Sequence, residues 1–108
     1  KERMFVPIRI LSEVLGAVVE FDENSKRIKI DYTIQSLNQV QTIEIFVDQP
    51  LGKVNGKETA IDPNDLSVAP YINNGRTMVP MRFIGEAFLA KDILWDPLNQ
   101  KVKFVFLK

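Results

Sequence analysis

A chain of 108 residues with 45% hydrophobic content is the size of one domain, and surface scaling lets such a chain bury roughly two-thirds of its unfolded surface. Its 14 basic and 14 acidic residues cancel, which removes the electrostatic case for nucleic acid or an anionic membrane surface as partner. Cysteine and histidine are both absent, so disulfides, thiol or imidazole catalysis and the usual transition-metal ligands are excluded together.

Pro7 stands where a helix would begin, a position that suits proline because its missing N–H has no intrahelical partner there. From it, Ile8, Leu11 and Leu15 interleave with Ile10, Val14 and Ala17 in a wide apolar face, opposite Arg9, Ser12, Glu13 and Gly16. This predicts an amphipathic helix of about three turns. Val18 to Asp22 reads as a strand, Asp22-Glu23-Asn24-Ser25 as a turn, and Lys26 to Tyr32 alternates charged and apolar residues with period two. A first hairpin is predicted there. Gln35 to Gln41 is polar and reads as a loop or strand edge, after which Thr42 to Val47 forms a strand with an Ile43, Ile45, Val47 face.

Gln49-Pro50-Leu51-Gly52 breaks that strand. Asn55-Gly56 is the pair preferred in a type I′ hairpin turn, with Thr59 to Asp62 as the return strand and Asp62-Pro63-Asn64-Asp65 as its end. Ser67 to Ile72 is an apolar connector, and Asn73-Asn74-Gly75 turns the chain into Thr77-Met78-Val79. A second amphipathic helix is predicted from about Pro80 to Leu89, with Met81, Ile84 and Phe88 beside Phe83, Ala87 and Ala90. Ile93 to Trp95 and Val102 to Phe106 close a second hairpin around Asp96-Pro97-Leu98-Asn99.

The two ends are versions of one another. Arg3, Val6, Pro7, Arg9, Glu13 and Ala17 align without gaps on Arg76, Val79, Pro80, Arg82, Glu86 and Ala90, and one inserted residue then brings Phe21-Asp22 onto Trp95-Asp96 and Lys29 onto Lys103. A duplicated unit constrains a fold more than any single residue. With all connections short, the expected fold is α+β: one domain, 1–108, with a mainly antiparallel β-sheet packed on two amphipathic helices and repeat halves at about 3–30 and 76–104. No apolar run approaches the ~20 residues of a membrane span, and no secretory leader pattern precedes the domain. Since the chain starts at Lys1, without Met and already inside a motif, we expect a piece excised from a longer protein.

Arg9 with Glu13 and Arg82 with Glu86 have the i, i+4 spacing of helical ion pairs. They read as braces of each helix against a neighbouring turn or strand, or as a twin site for a carboxylate or sugar acid. Trp95, Tyr71, Tyr32 and Phe106 offer either core or a flat platform for sugar rings; the core reading is preferred for Trp95, and Tyr71, placed beside a turn by Pro70 and Asn73, stays open. Asp62, Asn64 and Asp65, like Asp22, Glu23 and Asn24, lack the ligand spacing of a calcium loop and read as turns. Catalysis by paired carboxylates such as Glu13 and Glu86 would require the outer stripes of two helices to converge across a cleft.

Asn73, Gly75 and Arg76, Val79-Pro80 with Arg82, Glu86-Ala87 and Trp95-Asp96, echoed by Val6-Pro7, Arg9, Glu13, Leu15-Gly16-Ala17 and Phe21-Asp22, resemble the copper amine oxidase-like N-terminal domain, or stalk domain, of bacterial surface and secreted proteins. The resemblance covers nearly the whole chain. It implies an antiparallel sheet wrapped on helix and a non-catalytic module outside the cell, often attached to enzymes or cell-wall-binding repeats. Copper amine oxidase chemistry needs histidine ligands and a tyrosine-derived cofactor in a different domain, so no cofactor and no enzymatic activity is expected here. Two residues depart from the pattern: Phe21 stands for Trp, and Leu89 stands where the first copy has Gly16, so the second helix is expected to end less sharply.

The resulting expectation is a cell-surface binding or spacing module of a larger bacterial protein, with a carbohydrate-binding module or an enzymatic or inhibitory domain as alternatives. Tyr71, Asn74, Arg76 and Arg82 are the candidate contacts. Expected partners are cell-wall polysaccharide or neighbouring domains, with a homodimer or strand swap through an open sheet edge, and neither nucleic acid nor membrane insertion.

Overall fold

The computed structural model describes residues 4–9, 14–96, 98–99 and 101–106. The period-2 segments become strands β2 (Val18–Asp22), β3 (Arg27–Ile34), β4 (Gln39–Phe46), β5 (Leu51–Val54) and β6 (Lys57–Ala60), a five-stranded antiparallel sheet in sequence order. Alternation drives one face inward: Ile28 and Ile30 of β3, with Ile43 and Ile45 of β4, are almost fully buried. Across the pair, Arg27 donates from Nε to the Glu44 carboxylate at 2.8 Å. The turn between β5 and β6 is Asn55-Gly56 with φ of 55° and 83°, the two positive values that a type I′ turn requires.

Strands β1 (Phe5–Pro7), β7 (Tyr71–Asn73) and β8 (Arg76–Pro80) form a second antiparallel sheet in the order β1-β8-β7. Val6 lies opposite Val79 at its centre, both fully buried. Hydrogen bonds at both ends extend the pairing, from Ile8 N–H to the Thr77 carbonyl at 2.8 Å and from Met81 N–H to the Met4 carbonyl at 2.7 Å. Helix α1 (Met81–Ala87) follows β8 directly, and β9 (Ala90–Asp96) pairs with β10 (Lys101–Phe106) as a separate two-stranded sheet. The core lies where these pieces meet: Phe83, Ile84, Ala87 and Phe88 enter the isoleucine face, while Ile93 and Phe104 pack against it from the last hairpin. The Phe88 ring meets Tyr32 edge-on at 5.5 Å and 82°, a favoured aromatic geometry.

Every strand pairing described is antiparallel, as expected. Where two packed helices were expected, the described residues contain one complete α-helix, Met81–Ala87. Of the other, Val14 and Leu15 are helical and residues 10–13 lie outside the described residues. Among the described residues one strand, helix and hairpin unit is complete, and the internal repeat is not supported as two such units. The observed helix also stops two residues before Leu89, and it stops sharply. Leu89 itself takes φ of 59°, the left-handed conformation that Gly16 takes at 74°, so leucine occupies the place that glycine fills more cheaply. Gln35 to Gln41, expected as loop or edge, divides into a 3₁₀ turn (Gln35–Leu37) and the first residues of β4.

Candidate functional site

The four candidate contacts fall in two places. Tyr71, Asn74 and Arg76 belong to the β7–β8 hairpin, whose turn, Asn74-Gly75, has φ of 53° and 75°. Asn74 is thus a turn former exposed at the tip. The register sets Tyr71 opposite Met78 and Asn73 opposite Arg76, which places Tyr71 and Arg76 on one face of the hairpin, away from the face that carries Val79. The Tyr71 ring is 5.2 Å from Phe5 at 62° and the residue is 37% exposed. The Tyr71 ring therefore packs against Phe5 while the residue stays partly open to solvent.

Arg82 is the second residue of α1, and Nε lies 3.6 Å from Glu86 Oε2, with side chains 81% and 69% exposed. An ion pair this open contributes only a few tenths of a kcal/mol. It braces the helix along its own surface rather than against a strand; the cross-strand brace is Arg27–Glu44. Glu13 lies outside the described residues, and with it the Arg9–Glu13 and Glu13–Glu86 pairs. Arg82 and Glu86 form part of the rim of a cleft of about 490 Å³ between the start of α1 and the connector after β6, with Asp62 and Asn64 on the other side and Ile61 and Phe83 among its apolar lining. Tyr71, Asn74 and Arg76 do not line it.

The carboxylates expected to make turns do so. Asp62 accepts the Asn64 N–H at 2.9 Å and Asp65 accepts the Ser67 N–H at 3.0 Å. At the β9–β10 turn, Asp96 accepts the Asn99 side-chain amide at 2.8 Å and the backbone N–H groups of Asn99 and Leu98 at 3.3 and 3.1 Å. Led by the Asn99 side chain, these bonds favour the charged form and hold the Asp96 carboxyl below its ordinary pKa.

A polar bracket escaped the sequence reading. Gln41 is 1% exposed; it donates to the Ala87 carbonyl at the end of α1 at 2.6 Å and accepts from the Asn55 side chain at 3.0 Å. Asn55 in turn accepts the Thr42 N–H at 2.8 Å. One turn residue thus ties β4 to the β5–β6 hairpin, and one glutamine ties β4 to the helix. The signal was present in the spacing, since Gln41 continues the inward series of Ile43, Ile45 and Val47.

Copper does not fit the donors present. The sequence has no histidine, and among the described residues no group of three metal-ligating side chains comes together. No helix among the described residues is long and apolar enough to cross a membrane. Searches of curated proteins and of solved structures found no significant match. Residues 1–104 match the family model described as the copper amine oxidase N-terminal domain, a non-catalytic part of the amine oxidase. The match spans all the strands described except the last two residues of β10, and the chain belongs to the copper amine oxidase N-terminal domain family.

Proposed function

We propose that this chain is a non-catalytic, extracellular module of a larger bacterial protein, acting as a spacing or binding domain at the cell surface. The observation that carries this reading is where the polar side chains are spent. Gln41, Asn55, Arg27, Glu44, Asp62, Asp65 and Asp96 all hold strands, turns or the helix end in place. A framework fixed in this way transmits position rather than chemistry, and the chain lacks both histidine and cysteine for the commoner catalytic roles. Membership of a family that forms the non-catalytic N-terminal part of an amine oxidase supports the same reading. The extracellular, bacterial setting follows from the resemblance of its motifs to stalk domains of surface proteins.

We also infer that the two ends derive from one duplicated unit. Phe5 opposite Pro80 and Pro7 opposite Met78 exchange places when each residue is replaced by its counterpart in the other copy, as do the two flanking hydrogen bonds. Val6 and Val79 sit at the centre of that exchange.

A carbohydrate-binding role has one specific observation in its favour: a partly exposed Tyr71 on the same hairpin face as Arg76. The test is retention of the purified chain on cell-wall fractions, comparing wild type with Tyr71→Ala and Arg82→Ala, alongside assays for hydrolase and oxidase turnover. The spacing role predicts no turnover and retention unchanged by either substitution. Loss of retention in folded Tyr71→Ala would make the hairpin a sugar site, and robust turnover by the wild type would end the non-catalytic reading.

A further inference from the structure

Two sheet edges of this molecule complement each other. β2 is the outer strand of the five-stranded sheet, and all of its residues except Val19 are exposed, including Val18 at 57% and Phe21 at 45%. Proteins ordinarily guard such an edge with charge, proline or a bulge. β10 has β9 on one side and, among the described residues, no strand on the other.

β3 illustrates what a basic strand of this kind takes as neighbours. Arg27 and Lys29 lie opposite Asp22 and Glu20 of β2, and Lys29 lies opposite Glu44 of β4 on the far side, where Glu44 also bonds Arg27. In β10, Lys101 and Lys103 stand at the same distance from their turn: the pairs Asp96 with Lys101 and Ile93 with Phe104 match Asp22 with Arg27 and Val19 with Ile30. Here β9 supplies a carboxylate opposite Lys101 and only Leu94 opposite Lys103. The far side of β10 calls for an acidic strand with apolar residues at the alternate positions. β2, with the sequence Val-Val-Glu-Phe-Asp, is such a strand.

We propose that the outer edge of β10, which has no strand beside it among the described residues, takes β2 of a second copy of this chain as an antiparallel neighbour, with Lys101 opposite Asp22, Lys103 opposite Glu20 and Phe104 opposite Val19. Val105 then falls opposite Val18, and residue 102 opposite Phe21. Opposite charges face each other on one side of the joint sheet, and the apolar side continues the core face of both copies. Both hairpin loops span four residues, and the proposed pairing requires the N–H and C=O groups that point away from β3 to meet those that point away from β9. The contact is head to tail, so it does not close as a twofold and extends into a row of copies. Five residue pairs make a small interface, and the association is accordingly weak and concentration-dependent. The proposal stands independently of any wall ligand.

The test is sedimentation of the 108-residue chain from about 10 μM to about 1 mM, the range of weak contacts. Wild type should rise above the monomer mass as concentration increases. Lys101→Glu/Lys103→Glu and Glu20→Lys/Asp22→Lys should each remain monomeric, and their equimolar mixture should associate as wild type does, because each variant's edges fit the other's. Wild type that stays monomeric throughout, or associates equally well in either charge variant alone, overturns the proposal. If the β2 variant fails to fold, with its lysines facing Arg27 and Lys29, cross-linking gives the answer in a chain that has no native cysteine. Cα separations of about 4.5–5.5 Å across antiparallel pairs suit a disulfide, so Glu20→Cys with Lys103→Cys should yield a ladder of oligomers on oxidation. The out-of-register combination Glu20→Cys with Lys101→Cys should not, and equal ladders from both would overturn the register.

Discussion

The β2–β3 and β9–β10 hairpins start from almost the same pattern and end in different surroundings. Both close between an aspartate and a basic residue, Asp22 with Arg27 and Asp96 with Lys101, and both direct apolar residues at the core. β3 continues into β4 and becomes an inner strand, with Ile28 and Ile30 each 1% exposed. Among the described residues β10 has one neighbour, β9, and Phe104, which holds the place of Ile30, is only partly buried. A strand's sequence determines which face it buries; the number of neighbours determines how fully. A two-stranded ribbon is marginal alone, so the second hairpin depends on Ile93 and Phe104 being held by the core beneath.

The largest effect should come from exchanging matched core residues. Ile30→Ala removes a fully buried side chain and should cost about 2–5 kcal/mol, whereas Ile93→Ala, partly buried in the lone hairpin, should cost less. Urea denaturation of both variants measures the difference, and equal losses would break the comparison. Next are the two left-handed residues. Gly16→Ala should destabilise by about 1 kcal/mol through backbone strain alone, because a Cβ there meets nothing within 4 Å. Leu89→Gly should stabilise by about 0.5–1 kcal/mol, since Leu89 is 40% exposed and gives up little burial; thermal melts of the pair report opposite signs.

The smallest effect is that of acid on the β9–β10 turn. The folded-state pKa of Asp96 is depressed, so its contribution is present above the unfolded carboxylate pKa of ~3.9 and is lost as pH falls through the lower folded value. Asp96→Asn should remove that dependence. An NMR titration of the wild-type Asp96 carboxyl that gave an elevated midpoint would reverse the sign.

Much of the sheet was legible because its signals are local. Asn55-Gly56 and Asn74-Gly75 make the turns that their chemistry requires, and the alternation from Lys26 to Tyr32 marks β3 directly. What escaped depends on distant partners. Gln39 and Gln41 disguised the start of β4 as a loop, since the carbonyl that satisfies Gln41 belongs to Ala87. Leu89 promised a ragged helix end because propensity argues against a left-handed leucine; the tight passage from α1 into β9 imposes one. Of the candidate contacts, Tyr71 reads by sequence as part of an apolar connector from Ser67 to Ile72, whereas the chain pairs Tyr71–Asn73 with Arg76–Pro80 and so puts Tyr71, Asn74 and Arg76 on one hairpin. Nor could adjacency in sequence reveal that Arg82 borders a cleft with Asp62 and Asn64, which only the folded connector brings near the helix.

Amide hydrogen exchange, followed residue by residue at low and high protein concentration, tests the comparison most directly. In dilute solution we predict that β3 exchanges only through global unfolding while β10 exchanges through a smaller opening, and that concentration raises protection in β10 and β2 alone. Protection of β10 equal to that of β3 in the dilute monomer would mean that its edge is already covered within the chain, and would contradict both the contrast between the hairpins and the assembly proposed from it.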